Sequence, residues 1–177
     1  MNQRTLIKMS LFGKIGDVFN KIELEVSNDP AAKGKWFENY VENLFSKKYF
    51  RLIEKTHSYK TDVGRFVESN KNPDFIFEYI PTREQFAIEC KYRTSLNNKG
   101  QLEWSYPAQI KRYQDFERER KIPVFIVIGL DDEKKDEGYM FNIPLSGAKY
   151  PALYESVFAN FARDPEKPFF WKNGKLY

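Results

Sequence analysis

The chain has 177 residues, of which 41% are hydrophobic, 17% aromatic and 31% charged, a composition typical of one globular domain and not of a disordered chain. One cysteine and one histidine exclude an internal disulfide, a cysteine zinc site and any mechanism that needs two histidines. No apolar run approaches the ~20 residues of a membrane span and no secretory signal fits, so we expect a cytoplasmic protein. The net charge of +4 is only a weak indication of a nucleic-acid partner, since solvated surface segments explain it equally well.

Residues 1–27 are predicted to form a helical extension, and residues 28–177 to form the main domain. Apolar residues follow an approximate helical stripe from Ile7 to Ile22, with lysines away from it. Glycines within this stretch weaken the helix. Such a basic amphipathic segment packs on its own domain or binds a membrane surface or a partner, and the pattern leaves these alternatives open.

The main domain opens with a clear helix start. Asn28 or Asp29 can cap the helix and Pro30 suits its first turn, while apolar residues at helical spacing extend it to about residue 48. The β-branched run at 124–129 predicts a strand buried on both faces. The remaining elements are strands at 49–56, 73–80, 86–93 and 138–145, helices at 108–120 and near 153–161, and loops at 57–72 and 94–107. This order predicts an α/β fold with a mixed central sheet flanked by helices.

The strands at 73–80 and 86–93, joined by residues 81–84, form a predicted hairpin with two different faces. If Ile80 pairs with Gln85, one face is apolar, with these pairs: Phe75 with Cys90, Phe77 with Ile88, and Tyr79 with Phe86. The other face then gathers Asp74, Glu89 and Lys91. In this register Asp74 lies opposite Lys91 and diagonal to Glu89, ~7–8 Å away between backbone positions.

Two carboxylates on neighbouring strands are suitable ligands for a hard divalent cation. Mg²⁺ in particular takes few protein ligands and retains waters or a phosphate. A nearby lysine can orient or deprotonate an attacking water, or stabilise developing negative charge. The alternative is a surface cluster of ion pairs on an exposed sheet face.

The same residues resemble the motif of the PD-(D/E)XK nuclease superfamily, which has the restriction-endonuclease-like fold. Pro73-Asp74 matches the PD element, and Glu89-Cys90-Lys91 matches the (D/E)XK element. Glu38, shortly after Gly34, is similar to the acidic residue on the family's preceding helix. The segment from Gln109 to Tyr113 is similar to the Gln-x-x-x-Tyr element of nucleases related to RecB. The resemblance covers roughly residues 30–145.

This resemblance implies a Mg²⁺-dependent nuclease, with Mn²⁺ as a substitute, that hydrolyses phosphodiester bonds in nucleic acid and most readily in DNA. It implies metal ligands at Asp74, Glu89 and the Cys90 carbonyl, and it implies that Glu38 either approaches the metal from the helix as a ligand or orients Lys91. Lys91 would assist the attacking water. The groups that position the site would be Gln109 and Tyr113. The sequence leaves open whether the protein forms a homodimer or binds a protein partner. It also leaves open the alternative of a non-catalytic nucleic-acid-binding or assembly module that retains the nuclease fold.

Several other residues each have two interpretations. Trp104 and Tyr106 stack on an unpaired base or, as we prefer, pack and line the loop. The Cys90 thiol is predicted to face the core, and His57 is predicted to be a loop residue. Basic residues of the second helix contact phosphates or are simply solvated: Lys111, Arg112, Arg118 and Arg120.

Overall fold

The computed structural model describes residues 29–56, 72–132 and 137–177. The predicted extension at 1–27, His57 and nearly all of the predicted loop at 57–72 therefore lie outside the described residues. Within the described ranges, no helix is both long enough and apolar enough to cross a membrane.

Helix α1 comprises Pro30–Asn43 and begins as the sequence predicts. The Asp29 side chain caps it by accepting a hydrogen bond from the Ala31 N–H at 3.0 Å. The helix ends five residues before the predicted position, because Leu44 N–H bonds Val41 three residues back and tightens the last turn. Helix α2 comprises Pro107–Arg120, and the short α3, Glu155–Phe158, continues into a 3₁₀ turn at Ala159–Phe161.

Six strands form the central sheet. They are β1 Phe50–Lys55, β2 Phe75–Tyr79, β3 Glu84–Arg93, β5 Val124–Asp132, β6 Glu137–Pro144 and β8 Ala162–Arg163, in the spatial order β1-β2-β3-β5-β6-β8. Two small sheets pair β4 Leu102–Glu103 with β7 Ala152–Leu153, and β9 Trp171–Lys172 with β10 Lys175–Leu176. Strands β3 and β5 are parallel and the other neighbours are antiparallel. The predicted mixed α/β sheet flanked by helices is confirmed.

The register of the β2–β3 hairpin differs from the predicted one by two residues. Tyr79 pairs with Glu84 and Phe75 pairs with Ile88, so the loop comprises residues 80–83 and not 81–84. Arg83 adopts a left-handed conformation, with φ of 62°, and its N–H bonds the Tyr79 carbonyl at 2.9 Å. A shift of two residues preserves the alternation of faces. The predicted apolar face is therefore correct, but the continued register places Asp74 opposite Glu89 and not opposite Lys91.

Apolar residues cover both faces of the sheet. One layer, between the sheet, α1 and the C-terminal segment, includes Phe37, Phe86, Cys90 and Trp171. The other layer, against α2 and α3, includes Ile126 and a further set of buried residues: Ile76, Ala87, Ile110, Tyr113, Ile128 and Phe158. The prediction that Cys90 faces the core is confirmed, and β5 is buried on both faces as predicted.

Helix α1 packs tightly against the sheet at Gly129. A Cβ atom at this position would lie 2.6 Å from Cε2 of Phe37, a fully buried ring of α1. Such a separation is far inside van der Waals contact, so only glycine permits this approach. Because Glu38 follows Phe37 directly, the contact also determines how far Glu38 lies from the sheet.

We expect Gly129→Ala to lower the free energy of unfolding by about 1–3 kcal/mol, because the added methyl group forces Phe37 or the helix to move. Urea denaturation measures this loss. Gly34→Ala is the matched control: a Cβ there meets nothing within 4 Å, and the change favours the helix by about 0.5–1 kcal/mol. Phe37→Leu in the Gly129→Ala background should recover part of the loss. Equal stability of Gly129→Ala and wild type would contradict the close contact.

Candidate active site

Asp74 is held between two strands immediately before β2 begins. Its Oδ2 atom accepts a hydrogen bond from the backbone N–H of Cys90 on β3 at 2.7 Å. Its own carbonyl accepts a bond from the Thr56 N–H at 2.9 Å. Backbone groups on both sides therefore fix the position of this carboxylate.

Glu89 and Lys91 project from the same side of β3, since they are two residues apart on one strand. Lys91 Nζ lies 2.5 Å from Glu89 Oε1, and the exposed fractions of the two side chains are 18% and 4%. A buried ion pair of this kind is retained only where its remaining polar groups also find partners.

Helix α2 supplies those partners through a chain of hydrogen bonds. The Tyr113 hydroxyl bonds the Glu89 carboxylate and accepts from Gln109 Nε2 at 2.7 Å. Gln109 Oε1 accepts in turn from the Ser105 hydroxyl at 2.7 Å. The predicted pairing of Gln109 with Tyr113 on one helix face is confirmed. Ser105 was missed by the sequence analysis, because a serine before a helix is an ordinary capping residue.

Glu38 faces the site from α1. Its Oε2 atom accepts a hydrogen bond from Lys35 Nζ at 2.7 Å, and its negative charge acts on Asp74. Across residues 29–56, 72–132 and 137–177, however, no three side chains of His, Cys, Asp or Glu form a group that could hold a metal ion. Metal ligation by Glu38 therefore remains a prediction.

The electrostatics of the site show a deficit of positive charge. Burial, and next the Glu89 carboxylate, raise the pKa of Asp74 well above its ordinary value, despite the Cys90 N–H bond that lowers it. Burial acts to lower the pKa of Lys91, but the charges of Glu89 and Asp74 outweigh it and the pKa is raised. Burial and the Glu89 charge also raise the pKa of Tyr113. Lys91 is therefore an ammonium group and Tyr113 a neutral donor near pH 7.

These donors fit a hard divalent cation. The Ala87 N–H points to the β5 side of β3, where it bonds Pro123, so the alternate residue Cys90 directs its N–H and C=O to the β2 side. The Cys90 carbonyl thus lies on the same edge as the Asp74 carboxylate that its N–H binds. Asp74, Glu89 and this carbonyl present oxygen ligands, and few protein ligands are what Mg²⁺ requires. An added cation would also stabilise the ionised form of Asp74.

A cleft of about 610 Å³ opens beside Lys91 and Gln109 and is walled by Trp104 and Tyr106. Trp104 is fully buried, and its indole N–H bonds the Tyr150 carbonyl at 2.7 Å, which confirms the packing interpretation for this residue. Tyr106 is 53% exposed. The cleft is large enough for a nucleotide-sized group, and it connects the buried ion pair to solvent.

Comparisons with known proteins give a structural likeness but no match to a family model or a curated protein. Among solved structures, the chain is similar to that of Archaeoglobus fulgidus Hjc, a Holliday junction resolvase from an archaeal hyperthermophile. The sequence identity is 19%, the TM-score is 0.49, and the match covers 74% of this chain and 95% of that chain.

We expect Asp74→Asn to be more stable than wild type without metal, by a margin that grows with pH. The unfolded chain loses the Asp74 proton near pH 3.8, whereas the folded chain retains it to higher pH. Wild type therefore loses stability relative to the variant as pH rises from about 4 through the raised pKa, and the gap is constant above it. Asn keeps an acceptor for the Cys90 N–H.

Urea denaturation in the presence of a chelator, at a series of pH values, measures this difference in the free energy of unfolding between the variant and wild type. A change of 1 kcal/mol corresponds to about 2–4 °C in Tm for a chain of this size, so thermal melts give a second readout. If the two proteins are equally stable, or if the difference in stability becomes smaller as pH rises, then the fold does not disfavour the ionised form of Asp74.

Proposed function

We propose that this protein is a metal-dependent nuclease that hydrolyses phosphodiester bonds in nucleic acid, with DNA as its preferred substrate. The observation that carries the proposal is the meeting of Asp74, Glu89 and Lys91, of which Lys91 lines an open cleft. A carboxylate and an ammonium group on β3 and a second carboxylate immediately before β2 form a buried, charge-unbalanced site. An exposed surface cluster of ion pairs, the alternative from the sequence, does not fit a carboxylate with 4% of its side chain exposed.

The proposed ligands of the cation are Asp74, Glu89 and the Cys90 carbonyl. A divalent cation bound there supplies positive charge for a phosphoryl oxygen and lowers the pKa of a bound water. Lys91 then acts as an ammonium group that donates to a phosphate oxygen as negative charge develops. Its raised pKa disfavours the other role that the sequence left open, deprotonation of water.

Ser105, Gln109 and Tyr113 are proposed as positioning residues. Their chain of hydrogen bonds ends on the Glu89 carboxylate and fixes its orientation before substrate binds. Such support of a metal-ligating carboxylate typically changes metal affinity by about 10–100-fold.

The basic residues of α2 contribute less than the sequence suggested. Lys111 and Arg118 both pair with Asp115, at 3.2 and 2.8 Å. Arg120 pairs with Glu54 on β1 at 3.2 Å. These contacts favour the interpretation of these three residues as a solvated helix surface, whereas Arg112 donates to the hydroxyl of the cleft residue Tyr106 at 3.1 Å. We therefore assign substrate contact to the cleft and not to this helix surface.

Cleavage of DNA with Mg²⁺ or Mn²⁺ tests the proposal directly. We expect wild type to cleave, and Asp74→Asn and Lys91→Gln each to reduce the rate by about 10²–10³-fold. Lys111→Gln, which changes an exposed lysine, should cleave like wild type, and a chelator should abolish all cleavage. Circular dichroism confirms that each variant is folded.

Calorimetric titration with Mn²⁺ separates this proposal from its alternative. Binding to wild type and loss of binding in Asp74→Asn are expected. Equal cleavage by wild type and both active-site variants would refute the assigned roles. Absence of Mn²⁺ binding, with and without DNA, would favour a non-catalytic module that retains the fold.

We expect Tyr113→Phe to weaken Mn²⁺ affinity about 10-fold and to lower kcat more than it changes KM, because Glu89 loses the donor that orients it. The free energy of unfolding should fall by about 1–2 kcal/mol. Titration with Mn²⁺ is the deciding measurement, since a tyrosine that only packed would leave metal affinity unchanged. The control is Tyr154→Phe, which changes an exposed tyrosine at the N-cap position of α3.

A further inference from the structure

A second cavity, of about 750 Å³, lies away from the candidate active site. It is bounded by the first residues of β5, the last residues of β6, strand β8 and the C-terminal segment, and it shares no lining residue with the cleft beside Lys91. Its volume falls within the range of about 300–1,000 Å³ that is usual for small-molecule sites.

Unpaired buried atoms concentrate at this cavity. In the described part of the chain, three buried side-chain nitrogen or oxygen atoms have no hydrogen-bond partner, and two of them belong to lining residues: Asn142 Oδ1 and Arg163 Nη1. Each unpaired buried group costs about 1–3 kcal/mol. Two such groups at one cavity indicate a site that a ligand completes.

The orientation of the Asn142 amide is settled by its contacts. Asn142 is 8% exposed, and its Nδ2 atom donates to the Leu176 carbonyl at 2.8 Å. Only the amide nitrogen can make that bond, so the oxygen is the atom left without a partner. The cavity therefore presents one fixed, buried acceptor.

Arg163 presents the complementary donor. Its guanidinium lies 3.5 Å from the centroid of the Phe169 ring, and its Nη2 atom donates to the Lys167 carbonyl, which together fix the plane of the group. Burial lowers its pKa to about 10, so it remains charged at neutral pH. Arg163 pairs with Met140 across β6 and β8, which places it diagonal to Asn142 on the same sheet face, about 7–8 Å away between backbone positions.

The rim is aromatic and carries charges of both signs: Lys167 pairs with Asp164 at 3.6 Å and Glu117 is acidic, whereas Lys175 is exposed. Phe170 and Tyr177 stack on each other with ring centroids 4.8 Å apart, and each is about half exposed. Both line the cavity, as does the exposed Lys175. A ligand for this site needs a planar ring that can stack, an N–H for Asn142, an acceptor for Arg163 and a negative group for Lys175.

We propose that this cavity binds a nucleotide, with the base hydrogen-bonded to Asn142 and Arg163 and stacked on the aromatic rim, and with the phosphate beside Lys175. Nucleobases carry neighbouring donors and acceptors on one planar edge, which neither inorganic phosphate nor a plain hydrocarbon offers. The nucleotide can be free in solution or the end of an unpaired strand. The proposal does not depend on the nuclease assignment, because the two sites share no residue.

Calorimetric titration of the full chain in chelator tests this site without cleavage. The probes are AMP, GMP, CMP and UMP, a short single-stranded oligonucleotide, and inorganic phosphate. We expect at least one nucleotide to bind, and Asn142→Leu and Arg163→Met each to weaken it about 10-fold or more, the equivalent of one lost hydrogen bond. Arg163→Lys, which keeps the charge but loses the planar fork, should weaken binding less.

Two controls keep this test separate from the proposed nuclease. Asp74→Asn should bind nucleotide as wild type does, and Arg118→Met, which removes an exposed arginine elsewhere, should also leave binding unchanged. Tighter binding of the oligonucleotide than of any mononucleotide would identify a strand end as the ligand, and equal binding would identify the free nucleotide. No nucleotide binding by wild type, binding of phosphate alone, or wild-type affinity in the folded Asn142→Leu and Arg163→Met variants would overturn the proposal.

Discussion

The candidate active site depends on the burial of a negative charge in the middle of the sheet. Strand β3 is a central strand with helices over both faces, so Glu89 is removed from water where a surface carboxylate would be solvated. Lys91 and Tyr113 compensate that charge, and Asp74 adds a second one whose pKa is raised. The fold therefore holds together groups that repel each other, and strongly perturbed pKa values of this kind cluster at functional sites.

Much of this arrangement could be predicted from the sequence, because successive side chains along β2 and β3 alternate between the two faces of the sheet. Apolar residues at every second position of β2 and β3 identified the core side, and hence the common side of Asp74, Glu89 and Lys91. The register was predicted wrongly by two residues because nothing in the sequence indicates that Arg83 adopts a left-handed conformation, a role usually taken by glycine or asparagine. The assignment of residues to the two faces was still correct, because a shift of two residues leaves every side chain on the same face of the sheet.

Other features could not be predicted from the sequence, for different physical reasons. The predicted spacing of Gln109 and Tyr113 on α2 was correct, but Ser105 extends their chain across a loop, and loop positions carry no periodic signal. The close contact of Gly129 with Phe37 joins residues far apart in the chain, so no local pattern predicts it. The unpaired atoms of Asn142 and Arg163 likewise depend on how β6 and β8 pair.

Arg93 has a role that its charge alone would not suggest. Burial lowers the pKa of this guanidinium, and all three of its nitrogen atoms donate to backbone carbonyls: Tyr92 at 2.8 Å, Glu103 at 2.7 Å and Trp104 at 2.9 Å. It thereby fastens the end of β3 to the segment that carries the opposite wall of the cleft. One side chain thus joins the two sides of the cleft through three hydrogen bonds, and its loss would release both sides together.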